Sequence, residues 1–291
     1  MENLARFIFQ IDSDVVKNIL SKSDNIKVVD VSDTTSELCV VYFSSNELYY
    51  PNTEYAFQNA IEKRDKYEWI NTKYPGAKRH IFVRDIQKQW YMEGVSIKNN
   101  SPELLVNYLD ELCKGFTVFT IGSSAGGFAA LLFGSLIKAK RVYAFNAQLD
   151  LNIIIKDSSP FKDPILFRYQ YDEPRSKFYQ VSNFLNSSTK YFYFQSAKSK
   201  IDIVQYETCS KKSLLKKIEF STSNHGFPFL RHNLLFVIGL SEDELDEMSK
   251  HKLHPFVFSV KVDGFWKATY LSGKAVLFRL KKKWYDEKLA K

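Results

Sequence analysis

Cysteine is scarce in this 291-residue chain, and the three present, Cys39, Cys113 and Cys209, are scattered without metal-ligand spacing. That excludes a disulfide framework and gives no ground for a zinc site, so no metal is expected. Histidine is also sparse, with five in all, which makes each one easy to weigh. No run is long and apolar enough for a membrane span, and Met1 to Phe7 lack a basic stretch followed by an apolar one. Neither a signal peptide nor a transmembrane helix is expected, and the expected location is the cytoplasm. Internal repeats and low-complexity tracts are absent as well.

What is present is ample core material: 45% of residues are hydrophobic, among them 24 Phe and 17 Tyr. A chain of this length can hold one large domain and a small appendage. Strand-like runs fall near residues 6–11, 26–31, 38–43, 79–83, 116–121, 141–146, 190–195 and 216–221, with helical or irregular stretches between them. Their alternation predicts an α/β fold, a mostly parallel sheet covered on both faces. A helix is expected within 54–72. In 150–189, Pro160, Pro164 and Pro174 would break any continuous helix, so short pieces forming a lid are expected there.

The most specific local signal is Gly122-Ser123-Ser124-Ala125-Gly126, which fits G-x-S-x-G. The buried-strand pattern Phe116 to Ile121 precedes it, and a helix rich in Gly, Ala and Leu follows to Leu136. A serine on such a strand-to-helix turn is exposed and strained, and the flanking glycines at −2 and +2 select Ser124 over Ser123. The helix N-terminus behind it favours a developing oxyanion, with the Ala125 backbone N–H as one donor.

A nucleophilic serine needs a base and an acid. His225 lies in Thr222-Ser223-Asn224-His225-Gly226-Phe227-Pro228, on a loop after the last strand-like run, where it can reach across the sheet edge. His80 heads a strand, His232 sits on a helix, and His251 and His254 fall in a basic tail, all ordinary polar positions. Asp202 follows the run Lys190 to Gln195 and is the expected acid, although an Asp before a helix is also a common N-cap. Asp172 and Glu207 are the substitutes.

Gly122-Ser124-Gly126, Asp202 and His225, in that order, make residues 26–240 resemble the α/β-hydrolase superfamily. Three further segments, Phe82 to Asp85, Lys88 to Gly94 and Ala144 to Gln148, resemble hydrolase-like proteins of bacterial surface-polysaccharide clusters, some of which are capsule O-acetyltransferases. The resemblance implies a catalytic domain over 1–250 and acyl transfer through an acyl-Ser124 intermediate, with acetyl-CoA as co-substrate and no permanently bound cofactor. It leaves open an esterase with the same residues, and a silent scaffold. Lipases carry a His-Gly-Gly-Gly oxyanion loop where this chain has Phe43-Ser44-Ser45-Asn46, so Ser44 or Ser45 would supply the second oxyanion N–H.

The last forty residues change character. Residues 252–291 carry ten cationic side chains against three acids, +7 of the chain's +8. Alternation at Phe256, Phe258, Val260 and Val262, with Asp263-Gly264 and Ser272-Gly273 as turns, predicts an antiparallel β-meander appendage over 251–291. Its charge is either a solvated face or a surface that draws an anionic partner, a polyanionic carbohydrate or the phosphates of acetyl-CoA. Trp90, Lys281, Lys282 and Lys283 are the candidate acceptor contacts. No nucleic-acid-binding module accompanies the lysines.

Overall fold

The computed structural model describes the backbone of residues 6–32 and 34–289, and the side chains of these as far as residue 277. Seven strands, β1 (Ile26–Asp30), β2 (Leu38–Phe43), β3 (Arg79–Val83), β4 (Thr117–Ser123), β5 (Arg141–Phe145), β6 (Lys190–Ser196) and β7 (Leu215–Phe220), form one sheet in the order β1-β3-β2-β4-β5-β6-β7. β1 pairs antiparallel with β3, and every other pair is parallel. The chain moves outward from β2 to β3 and then returns to place β4 on the other side of β2. Such a reversal opens a crevice at the carboxyl ends of β2 and β4, the usual place for a site in an open α/β sheet.

Strand periodicity divides the core into two layers. Cys39, Val41 and Phe43 of β2, Val118 of β4 and Val142 and Ala144 of β5 face the helices Pro102–Cys113 and Ala125–Leu136. Their neighbours Val40, Tyr42, Phe119, Ile121, Tyr143 and Phe145 face Trp69, Leu234, Val237 and Phe258 on the other side. Ala125–Leu136 is buried over all but its last residue, which explains why it is built from Ala, Gly, Leu and Phe. Residues 150–189 do break into short pieces, the helices Leu151–Lys156, Pro164–Arg168 and Glu173–Ser176.

Three expectations are corrected. Residues 6–11 are not a strand. Phe9–Asp12 is a helical turn closed by the Ile8 N–H on Asp12 Oδ2 at 2.6 Å, and Arg168 from the 150–189 region grips the same carboxylate. The helix expected within 54–72 is Glu54–Phe57, continued as a π-helical turn to Glu62, and then stops. Asp65 adopts φ +40, and Tyr67 and Trp69 turn into the core instead.

The C-terminal β-meander is absent, and its place is taken by the helices Pro255–Asp263 and Phe265–Leu289. Pro255 starts the first helix at a position where its missing N–H costs nothing. Gly264, read above as a hairpin turn, instead ends it with φ +81 and an N–H to Val260 O at 2.9 Å. Phe258 carries the packing, with ring contacts to Phe220 at 5.4 Å and Phe229 at 5.7 Å. An apolar residue every second position cannot separate strand from helix when, as here, a single buried aromatic, Phe258, anchors the helix. Lys281, Lys282 and Lys283 lie on the second helix, and their side chains fall outside the described residues.

Candidate active site

Ser124 connects β4 to the helix Ala125–Leu136 with φ 53 and ψ −122, a conformation that L-residues avoid. Its N–H donates to Phe145 O at 2.9 Å, and its carbonyl accepts from Phe128 N at 3.0 Å, so both neighbours hold the turn. The glycines around it are required by space. A Cβ on Gly122 would meet Gly126 O at 1.9 Å, and one on Gly126 would meet Phe43 O at 2.4 Å. Ser123, the last residue of β4, is buried, whereas Ser124 is half-buried with its hydroxyl at the mouth of the crevice.

His225 reaches this hydroxyl, with Nε2 2.9 Å from Ser124 Oγ. Its loop is fixed from two sides. Phe227 wedges against Phe145 at 5.0 Å and Trp69 at 5.5 Å, and Gly226 takes φ +100 to turn the chain. Beneath it, Asn146 is wholly buried and donates through Nδ2 to Asn224 O at 3.1 Å and Gly226 O at 3.2 Å, the carbonyls on either side of His225. Asn146 Oδ1 accepts from Ser196 N at 2.8 Å, which ties the loop to the end of β6. Asn146 falls in the Ala144–Gln148 segment of the sequence resemblance, but nothing there assigned it a role in holding the histidine loop.

Asp202 is buried in the first turn of the helix Lys200–Glu207, and its Oδ1 is 2.8 Å from His225 Nδ1. The N-cap of that helix is Ser199, so Asp202 is not engaged in capping. This hydrogen bond holds the His225 pKa above the ordinary histidine value, against the lowering effect of burial. Glu47 adds to the rise through its charge. The two substitute acids lie elsewhere: Asp172 pairs with Arg175, and Glu207 pairs with Lys212 at the surface.

Two expectations about the rest of the site change. Ser44 N donates to Val83 O at 3.0 Å and Ser45 N to Glu68 Oε2 at 2.6 Å, so neither N–H is open to an oxyanion. Ala125 N–H, at the first helical position, has no carbonyl one turn back to take it. Trp90 is only 6% exposed, so its ring is not offered to an acceptor; its indole N–H donates to Gln148 Oε1 at 3.3 Å. Gln148 Nε2 in turn donates to Ser124 Oγ at 3.1 Å.

A groove of about 820 Å³ adjoins the crevice, lined among others by Tyr50, Tyr55, Lys63, Arg64, Lys66 and Arg231. Glu47 and Glu68 also line it, which connects it to His225 and to Ser45. Tyr50 and Tyr55 are 69% and 70% exposed, leaving ring faces open beside the cations. Among the described residues no group of three or more His, Cys, Asp and Glu gathers at metal-binding distance, and no helix is long and apolar enough to cross a membrane.

No protein-family model matches the sequence, and no curated protein matches it either. The structure is similar to α/β-hydrolase-fold proteins at low sequence identity. The capsule O-acetyltransferase of Neisseria meningitidis serogroup A matches at 14% identity over 67% of this chain and 82% of that one, with a TM-score of 0.48. Lipase/esterase from Lactobacillus plantarum matches at 12% identity over 76% and 93%, with a TM-score of 0.43. Esterase B from Lactobacillus rhamnosis matches at 11% identity over 78% and 87%, with a TM-score of 0.40. A histidine variant of the Neisseria enzyme is described in complex with CoA, at 14% identity over 67% of this chain and 83% of that one, with a TM-score of 0.47.

Proposed function

We propose that the protein is a serine-dependent acyl-transfer enzyme in which Ser124 is the nucleophile, His225 the general base and Asp202 its orienting acid. One observation carries this reading: the unbroken hydrogen-bonded line from Asp202 Oδ1 through His225 to Ser124 Oγ, on a strained turn between β4 and its helix. Ser124 Oγ attacks the acyl carbonyl carbon and gives its proton to His225 Nε2, while the carbonyl π pair moves onto oxygen. Collapse of the tetrahedral adduct expels the leaving group, which takes the proton from His225. In the second half an acceptor hydroxyl gives its proton to His225, attacks the acyl carbon and releases Ser124 Oγ, which recovers the proton. Asp202 holds the imidazole in the tautomer that leaves Nε2 free to accept.

For the substrates, we carry forward transfer of an acetyl group from acetyl-CoA to a hydroxyl of an anionic surface polysaccharide. Two features support it. The segments that carry the sequence resemblance supply Asp85, Trp90, Asn146 and Gln148, all of which meet at this site or brace its walls. The neighbouring groove sets cations beside open tyrosine rings, a combination suited to phosphates or acidic sugars. Lys281, Lys282 and Lys283 stay candidate acceptor contacts in this reading by their charge alone.

The test is incubation with acetyl-CoA, with and without capsule-type polymers, following CoA release and the mass of the intact protein. Release that depends on the polymer is the expected result. Release without polymer assigns hydrolysis to the same residues, and a protein that neither releases CoA nor is acylated by any activated ester is not an acyl-transfer enzyme.

A further inference from the structure

A tetrahedral oxyanion at Ser124 calls for two donors, and of the three backbone N–H groups expected to serve, those of Ala125, Ser44 and Ser45, only that of Ala125 is open. The second donor expected from the loop after β2 is engaged, because Ser44 N–H is held by Val83 O and Ser45 N–H by the Glu68 carboxylate. We propose that the second donor is the side-chain amide of Gln148, held in orientation by the indole N–H of Trp90. The inference rests on the serine acyl-transfer reading above and adds to it a residue outside the Ser–His–Asp line.

Chemistry fixes which end of the amide faces the serine. An indole has a donor and no acceptor, so at 3.3 Å from Trp90 Nε1 only the carbonyl oxygen of Gln148 is favourable. The NH₂ group is thereby turned to Ser124 Oγ, at 3.1 Å. The hydroxyl can accept this bond while donating its own proton to His225 Nε2, which completes a consistent line of donors from Trp90 to His225. When Oγ bonds to the acyl carbon, the carbonyl π pair moves onto an oxygen attached to that same carbon. An N–H already touching Oγ then needs only a small shift to reach it. A neutral amide stabilises that charge at any working pH and does not compete with His225 for the proton.

Trp90 is unusually well held for such a role. It and Tyr91 have φ of +57 and +62, conformations that bulky side chains rarely adopt and that cluster at functional sites. The buried Asp85 carboxylate compensates by accepting three backbone N–H groups, from Gln87 at 3.0 Å, Gln89 at 2.7 Å and Tyr91 at 3.0 Å. Tyr91 OH adds a bond to Ser44 O at 2.9 Å. The 85–91 loop is thus a rigid knot that presents one indole N–H to Gln148.

The experiment follows acylation of Ser124 by p-nitrophenyl acetate in stopped flow, with labelling by a fluorophosphonate as the control on the nucleophile. Gln148→Ala and the near-isosteric Gln148→Met should each lower the acylation rate constant about 10²–10³-fold, the usual loss for one oxyanion donor, with little change in KM or melting temperature. Trp90→Phe should lower it about tenfold on its own and hardly at all in the Gln148→Ala background, because its effect runs through the amide. Wild-type acylation rates in both Gln148 variants would overturn the inference. If the wild-type protein takes no fluorophosphonate at Ser124, the acyl-transfer reading itself fails; normal labelling with unaltered Gln148 variants sinks only the oxyanion assignment.

Discussion

Asp202 Oδ1 and His225 Nδ1 stand 2.8 Å apart, one at the start of a helix after β6 and the other on the loop after β7, and their bond raises the His225 pKa. The proposed base works only when neutral, so activity must fall as pH drops through that raised pKa. The acid limb of kcat/KM should therefore lie above the ordinary histidine value of about 6.5. Asp202→Asn removes the main cause of the rise and leaves the lowering effect of burial, so the limb should move to lower pH. The same change favours the wrong tautomer and should cost roughly 10⁴ in kcat. A pH–rate profile of both proteins decides the matter; a limb that stays in place rules out this pairing as its source.

Ser123 and Ser124 offer a direct contrast. Ser124→Ala should abolish fluorophosphonate labelling and remove several orders of magnitude in rate. Ser123 ends β4 with a buried side chain on the core side of the turn, and Ser123→Ala should retain appreciable activity. Labelling of the Ser124→Ala protein at wild-type level would refute the assignment.

Gly126 and Gly273 should respond to alanine with opposite signs. A Cβ on Gly126 would press against backbone, at 2.4 Å from Phe43 O and 2.8 Å from Ser44 O, neither of which can move without shifting β2. Gly126→Ala should cost about 3 kcal/mol, at the upper end of overpacking penalties. Gly273 lies within the helix Phe265–Leu289 with open space around it, so Gly273→Ala should stabilise that helix by about 0.5–1 kcal/mol. Denaturant or thermal melts of the two variants measure this, and loss of stability in Gly273→Ala would contradict the helical assignment of the tail.

Much of the sheet could be read from the chain because β2, β4, β5 and β6 are buried on both faces and spell continuous apolar runs. The strand-to-helix turn at Ser124 was legible for a related reason: close approach of β4 to its helix forbids side chains at 122 and 126, and that constraint is local in sequence. Gln148 and Asn146 were not legible as site residues. Each acts through an amide whose partners lie between 24 and 80 positions away, and no local spacing records such a contact. The oxyanion expectation at Ser44 and Ser45 missed because the competing acceptors, Val83 O and Glu68, come from other parts of the chain. The tail failed differently: a dipeptide that closes hairpins also closes helices, and Pro255 together with Phe258 decides for the helix.

Asn146 should matter to catalysis although it lies too deep to meet substrate. Its Nδ2 spans Asn224 O and Gly226 O while its Oδ1 accepts from Ser196 N, so one amide fixes both the His225 loop and the end of β6. Asn146→Asp keeps an acceptor for Ser196 N but faces the two loop carbonyls with a carboxylate in place of a donor. The loop should then release His225 from Ser124 Oγ, lowering kcat about 10–100-fold, because a small misplacement of a catalytic group is costly. KM should hold, since no binding group has been removed. Fluorophosphonate labelling should slow in parallel, as it also depends on the base. The stability cost should be about 1–3 kcal/mol, the penalty for Gly226 O left without its donor, while Asn224 O keeps its bond from Ser196 Oγ at 2.6 Å. Steady-state kinetics, labelling rate and a thermal melt on one preparation separate these effects. A protein that melts earlier yet keeps its kcat would show that Phe227, wedged between Phe145 and Trp69, holds the loop without Asn146.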